Sequence, residues 1–208
     1  KNPEVMVSGA DNAQDLEANL EWPDAVVAGP GLFKNYWSEQ ILYKLLYSVT
    51  DNETPTLLDA GALRLLAHDT FSKITLHSQT VLTPHPGEAA EMLQITAKEV
   101  QKNRIESAKE LQKKYGCIIV LKGNGTIVCD KNNVYLCSSG GPELAVAGSG
   151  DVLSGVIGSL MAQGLAPIDA AITGVGIHAQ AGGEFAKDVG KIGLAAGELI
   201  PYIRKFLN

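Results

Sequence analysis

An aspartate, Asp151, follows Gly148-Ser149-Gly150 and precedes apolar residues at three- and four-residue spacing, Val152, Leu153, Val156, Ile157, Leu160 and Met161. That pattern predicts a carboxylate in the first turn of a helix. Main-chain N–H groups at such an end lack partners inside the helix, and the summed peptide dipoles leave it partly positive, so it attracts anions. Glycines let the amides converge on a phosphoryl oxygen with no Cβ in between. Gly148, Ser149 and Gly150 are therefore candidates for an anion hole. Asp151 is a candidate base for a hydroxyl about to attack phosphorus. Taken alone, such a run is more often an ordinary helix start, with Ser149 as cap and Asp151 complementing the dipole.

Three further stretches alter that balance. Lys122-Gly123-Asn124-Gly125-Thr126 places two glycines behind a lysine, a pliable backbone beside a point charge suited to polyphosphate. The plainer reading is a loop joining a strand to a hairpin. Pro84-His85-Pro86-Gly87-Glu88 is expected to form a fixed, irregular loop, in which His85 has little rotational freedom and Glu88 stands at a helix start. Gly29-Pro30-Gly31 ends an apolar run, and Gly31 is either a close backbone contact for a ligand or part of a simple turn.

The elements that must carry these loops alternate. Short apolar runs predict strands at 24–28, 56–60, 80–83 and 117–121, the last nearly all apolar as a central parallel strand should be. Asp59 stands at the end of the second. Helical spacing marks 37–47, 63–67 and 89–93. A longer helix is expected over 97–115, ending before Gly116, with its charges, Arg104 among them, on a solvated face. Residues 126–130 and 134–137 predict a hairpin turning at Lys131-Asn132-Asn133. From Pro167 a helix rich in small residues implies close packing at Ala170, Ala171, Gly174, Gly176, Ala179 and Ala181, with His178 structural. A last amphipathic helix is expected over 194–206. Strand alternating with helix predicts an α/β fold, a mostly parallel central sheet flanked by helices, with a late β-hairpin.

Composition narrows the function. The chain has 208 residues, 45% hydrophobic and 19% charged, enough for one substantial core and one domain, 1–208. A net charge of −6 argues against nonspecific nucleic-acid binding, so phosphate must be met by local donors. Cys117, Cys129 and Cys137 lack metal or redox spacing and read as small buried hydrophobes in a reducing compartment. No apolar run reaches membrane-span length. The expectation is a cytoplasmic protein with no membrane partner. The start at Lys1, running into the strand-like Val5-Met6-Val7, is expected to be processed or trimmed.

Together the motifs describe a nucleotide and phosphoryl-transfer site. Thr83-Pro84-His85-Pro86-Gly87-Glu88, Lys122 to Thr126, and 147–155 followed by Ala162-Gln163-Gly164 resemble, in order and spacing, the ATP- or ADP-dependent NAD(P)H-hydrate dehydratases of the ribokinase-like fold. The resemblance covers nearly the whole chain. It implies that NADHX or NADPHX is dehydrated to NADH or NADPH while ATP or ADP loses its terminal phosphate. It also implies that Asp151 is catalytic and touches the hydrate, that Gly31 and His85 line the hydrate pocket, that Lys122, Gly123, Asn124, Gly125, Thr126 and Gly150 hold the nucleotide, and that Mg²⁺ takes part, with ligands unassigned. It leaves room for a homo-oligomer and for an epimerase, fused or separate.

Two departures accompany it. Nothing ahead of residues 3–6 corresponds to the glycine-containing strand with which members open. Asp59-Ala60-Gly61 also has glycine where many members carry a second aspartate. The alternatives are a vitamin-precursor kinase of the same superfamily, acting on a hydroxymethylpyrimidine or a thiazole alcohol, and a non-catalytic nucleotide-binding domain. Those kinases often have asparagine where His85 stands, which favours the dehydratase.

Overall fold

The computed structural model describes residues 4–207. Its sheet contains β1 (Val26–Ala28), β2 (Thr56–Leu58), β3 (Thr80–Leu82), β4 (Ile118–Leu121), β5 (Thr126–Cys129) and β6 (Val134–Cys137), lying side by side in chain order. The first four are parallel, and β5 and β6 continue as an antiparallel hairpin. Asp130 makes the hairpin turn, its Oδ1 accepting from the N–H groups of Asn132 and Asn133, both at 2.7 Å. This is the α/β arrangement expected, with the late hairpin in place.

Nine α-helices occur among the described residues: α1 (Glu17–Leu20), α2 (Tyr36–Asp51), α3 (Gly61–Leu66), α4 (Pro86–Leu93), α5 (Ala97–Lys102), α6 (Arg104–Tyr115), α7 (Ser149–Ala162), α8 (Pro167–Asp188) and α9 (Leu199–Lys205). Successive strand residues face opposite ways, and the core divides accordingly. Leu58, Leu82 and Ile119 pack with Leu42, Leu63, Met92 and Leu111 on the crossover helices. Leu57, Val81 and Val120 meet Leu153, Ile157 and Met161 of α7 and Ala170 and Val175 of α8 on the opposite face. Each such large side chain taken from water contributes about 1.5–3 kcal/mol. Helices therefore hold the sheet between them, and none is long and apolar enough to cross a membrane.

Close packing on α8 is confirmed at Gly174, where a Cβ would stand 2.7 Å from Ile157 Cγ1. Gly176 faces open space, contrary to expectation. Three other expectations are corrected. Val5-Met6-Val7 forms no strand and is exposed, Met6 by 88%, because no neighbouring strand pairs with it. The Pro-rich loop is shorter than expected, since α4 already starts at Pro86, whose missing N–H costs nothing in a first turn. The helix over 97–115 breaks at Asn103, whose φ of −133° and ψ of 53° are not helical.

Candidate active site

The carboxyl ends of the parallel strands β2, β3 and β4 converge on one cavity of about 690 Å³. Such ends are where open α/β sheets bind ligands. From β2 come Asp59 and Ala60, from the loop after β3 His85 and Glu88, and from the loop after β4 Lys122, Gly123, Asn124, Gly125 and Thr126. Gly148, Ser149, Gly150 and Asp151 close one side, and His178 and Ala179 of α8 lie behind.

The start of α7 is built without a side-chain cap. Gly148 is the N-cap, in the left-handed region at φ 82°, and Ser149 is already helical, so Ser149 is not the cap. Its hydroxyl instead meets His178 Nε2 at 3.2 Å, and the same nitrogen lies 3.1 Å from the Ser149 carbonyl. His178 is buried, and that burial holds its pKa below the ordinary value; its bond to the Ser149 backbone works the other way, and the Lys122 charge lowers it further. A neutral imidazole therefore braces the first residue of α7, and the positive end of this site is supplied by main-chain dipoles.

Beneath the same turn runs a buried polar chain. Lys122 Nζ donates to Asp59 Oδ1 at 2.7 Å, and Ser154 Oγ donates to Asp59 Oδ2 at 2.8 Å. Asp59 is 1% exposed and Lys122 18%. Leaving either charge alone would be costly, because an unpaired buried ion loses its hydration without compensation. A Cβ on Gly150 would stand 3.2 Å from Lys122 Nζ, so the lysine lies directly under the anion-binding turn. Ala60 beside it has φ 48°, an uncommon conformation for a residue with a Cβ, of the kind that concentrates at functional sites.

His85 caps α4. Its Nδ1 accepts from the N–H groups of Gly87 at 3.0 Å and Glu88 at 3.2 Å, while Glu88 Oε2 accepts from the His85 N–H at 2.9 Å. With Nδ1 accepting, a proton on the neutral ring sits on Nε2, which lies 3.4 Å from Glu88 Oε1. The ring is thus held at the cavity by backbone donors as well as by its prolines.

Of the residues singled out from sequence, Gly31 alone lies away from this cavity. It sits exposed in the turn closed by Leu32 N–H to Gly29 carbonyl at 2.9 Å. The glycine demanded by neighbouring backbone is Gly29, where a Cβ would collide with the Asp59 carbonyl. Gly61 has a similar cause, since a Cβ there would collide with the Leu32 carbonyl. Sequence reasoning gave no site role to Asp59, Ser154, His178 or Arg104. Asp59 carried a signal, an acid terminating an otherwise apolar strand; the contacts of the other three are set by tertiary packing.

A family model for NAD(P)H-hydrate dehydratase matches residues 1–205. The chain belongs to that family. This NAD(P)H-hydrate dehydratase family member is 41% identical, over 99% of its length, to a bifunctional NAD(P)H-hydrate repair enzyme of Coxiella burnetii, but spans 41% of that protein. It is 37% identical, over 99% of its length and 69% of the relative's, to an ADP-dependent (S)-NAD(P)H-hydrate dehydratase of Neisseria meningitidis. Among solved structures, an ADP/ATP-dependent NAD(P)H-hydrate dehydratase from Bacillus subtilis, co-crystallised with ATP and Mg²⁺, superimposes with a TM-score of 0.77 at 30% identity, covering 88% of this chain and 64% of that one. A ribokinase-like protein of Enterococcus faecalis gives 0.80 at 26% identity, over 93% and 67%. The fold is ribokinase-like.

No group of three or more metal-ligating side chains occurs among the described residues. Mg²⁺ nevertheless fits the cavity in the way it accompanies nucleotides, taking phosphate oxygens and waters plus one or two carboxylates. Asp59, Glu88 and Asp151 are the carboxylates that line it.

Proposed function

We propose that this chain, as one domain over 1–208, dehydrates the hydrated nicotinamide ring of NADHX or NADPHX at the expense of ATP or ADP. The observation that carries the proposal is that Asp151, the amides opening α7, the Lys122–Thr126 loop and His85 line one cavity. Hydroxide leaves a ring carbon poorly and phosphate leaves well, so transferring a phosphoryl group to the ring hydroxyl lowers the barrier to elimination.

In this mechanism Asp151 accepts the hydroxyl proton as the oxygen bonds to the terminal phosphorus of the nucleotide, and the P–O bond to the rest of the nucleotide breaks. Main-chain N–H groups around Ser149, Gly150 and Asp151 face the charge on the transferring group, braced by His178 and by the Asp59–Lys122 pair. The ester then departs as phosphate while a proton leaves the adjacent ring carbon, restoring the ring double bond. Lys122 to Thr126 and Gly150 bind the nucleotide, and His85 borders the hydrate. Gly31, in the turn after β1 and outside the cavity lining, is proposed as a further contact for the part of the hydrate that extends beyond it. Mg²⁺, held by phosphate oxygens with Asp59, Glu88 or Asp151, would neutralise phosphate charge.

An NAD(P)HX epimerase, fused or separate, is the partner that fits a dehydratase selective for one hydrate epimer. The cytoplasmic nicotinamide pool fits as its setting. The test is incubation of the full-length protein with NADHX and either ATP or ADP, following the absorbance of reduced nicotinamide. Recovery of NADH matched by nucleotide consumption supports the reading. Nucleotide consumed only with an added vitamin alcohol would establish a kinase instead, and no consumption at all would leave a binding domain.

A further inference from the structure

The break at Asn103 turns Arg104 away from solvent. The residue opens α6 half-buried, and its guanidinium reaches the strand end and loop between β4 and β5. Nη2 donates to the carbonyls of Leu121 at 3.2 Å and Gly125 at 2.9 Å. Nη1 donates to the carbonyl of Lys122 at 3.3 Å and to Gln101 Oε1 at 3.2 Å. One side chain thus holds three peptide carbonyls of a segment that contains two glycines.

The consequence for the amides follows from peptide planarity. In a trans peptide the carbonyl of one residue and the N–H of the next point in opposite directions. Drawing the carbonyls of Leu121, Lys122 and Gly125 toward Arg104 therefore turns the N–H groups of Lys122, Gly123 and Thr126 away from it. The Lys122 N–H bears this out, donating to the Pro84 carbonyl at 2.9 Å in the neighbouring loop. Gly123, at φ 133°, lies so close that a Cβ would stand 2.7 Å from Nη1. Arginine also breaks a local rule here, because a cation in the first turn of a helix opposes its dipole. Such local conflicts concentrate where function or a compensating contact demands them.

Resting on the nucleotide role proposed above for Lys122 to Thr126, we propose that Arg104 is a positioning residue that sets nucleotide affinity by aiming the Gly123 N–H at the phosphates or ribose and fixing the loop from behind. It does not line the cavity itself. Lysine is a poor substitute, since a single ammonium on a flexible stem lacks the planar fork that spans several carbonyls.

The test compares full-length native protein with Arg104→Gln, Arg104→Lys and Arg104→Ala, measuring ADP and ATP binding with Mg²⁺ by calorimetry alongside steady-state kinetics with NADHX. In Arg104→Gln the nucleotide Kd and KM rise about tenfold or more, as loss of charge-assisted hydrogen bonds should cause. The KM for NADHX, and kcat at saturating nucleotide, stay within about twofold, because lost preorganisation of one substrate's site acts on its binding. Arg104→Lys recovers little. Guanidinium chloride, far below unfolding concentrations, restores nucleotide affinity to Arg104→Ala, and sodium chloride at equal strength does not. A folded variant that binds nucleotide as tightly as the native protein overturns the inference, whatever its Tm, and so does a failure of guanidinium to restore binding. Native protein that binds neither ADP nor ATP would refute the nucleotide reading itself, an outcome separate from either.

Discussion

Two glycine-rich turns line the cavity, and they are stiffened by different means. The 148–151 turn opens a fourteen-residue helix and rests on buried side chains from three other elements, Asp59 after β2, Lys122 after β4 and His178 of α8, with Ser154 from its own helix. The 122–126 loop precedes a hairpin and is held from outside chiefly by the Arg104 guanidinium on three of its carbonyls, with the Lys122 N–H on the Pro84 carbonyl. Similar composition thus gives two kinds of rigidity. The first should matter to bond making, where donors must already be placed when charge develops, and the second to ligand capture.

The sharpest way to test that division is Asp151→Asn. Turnover should fall by about 10²- to 10⁴-fold, the usual contribution of a positioned base, with nucleotide affinity retained, as rate assays and calorimetry would show. Near-native turnover would end the distinction between the turns. Asp59→Ala should come next, stranding Lys122 and costing about 3–5 kcal/mol in urea unfolding, because a buried charge loses its partner. A smaller cost would mean that water reaches the lysine.

His178→Phe should cost about 1–2 kcal/mol and lower kcat more than nucleotide affinity, since it loosens the anion-binding turn. It also carries a pH signature. Burial holds the imidazole below its ordinary 6.5, so the unfolded chain takes up the proton first. The stabilisation is complete above about pH 6.5 and is lost as pH falls toward the folded value. The variant should flatten part of that acid limb in Tm against pH; His77, lowered likewise by burial, retains the rest. The smallest effect is expected for Gly125→Ala, where φ is 68° and the added methyl meets Leu136 Cδ1 at 3.2 Å. A cost of about 1 kcal/mol, seen as a several-fold rise in nucleotide KM with kcat preserved, would confirm the loop as a binding element.

Much of the fold was legible because periodicity reports burial. The all-apolar 118–121 could only be a covered strand, and the apolar spacing after Asp151 could only be a helix packed on one face. The clustering of His85, the lysine loop and the α7 turn was also legible, since each motif ends a parallel strand or opens a helix at the same rim. Arg104 was not, because its contacts depend on a one-residue break at Asn103 that leaves the amphipathic pattern unchanged. His178 was not, because local sequence cannot say which helix lies behind a given turn. Gly31 stands outside the lining of the cavity, and the crowded glycine of its turn is Gly29, because a glycine pair in a turn does not reveal which member its neighbour's backbone crowds.

The sheet's arrangement in chain order has one more consequence. As the polypeptide emerges from the ribosome, every strand can dock on the one made just before it, without waiting for sequence still to come. Helix α7, on which the proposed catalytic Asp151 stands, is the exception, because its footing on Asp59 reaches back across 95 positions from Ser154. A nascent chain halted after the hairpin would therefore hold a nearly finished scaffold with no working centre, so that competence for chemistry arrives late in synthesis and in a single step.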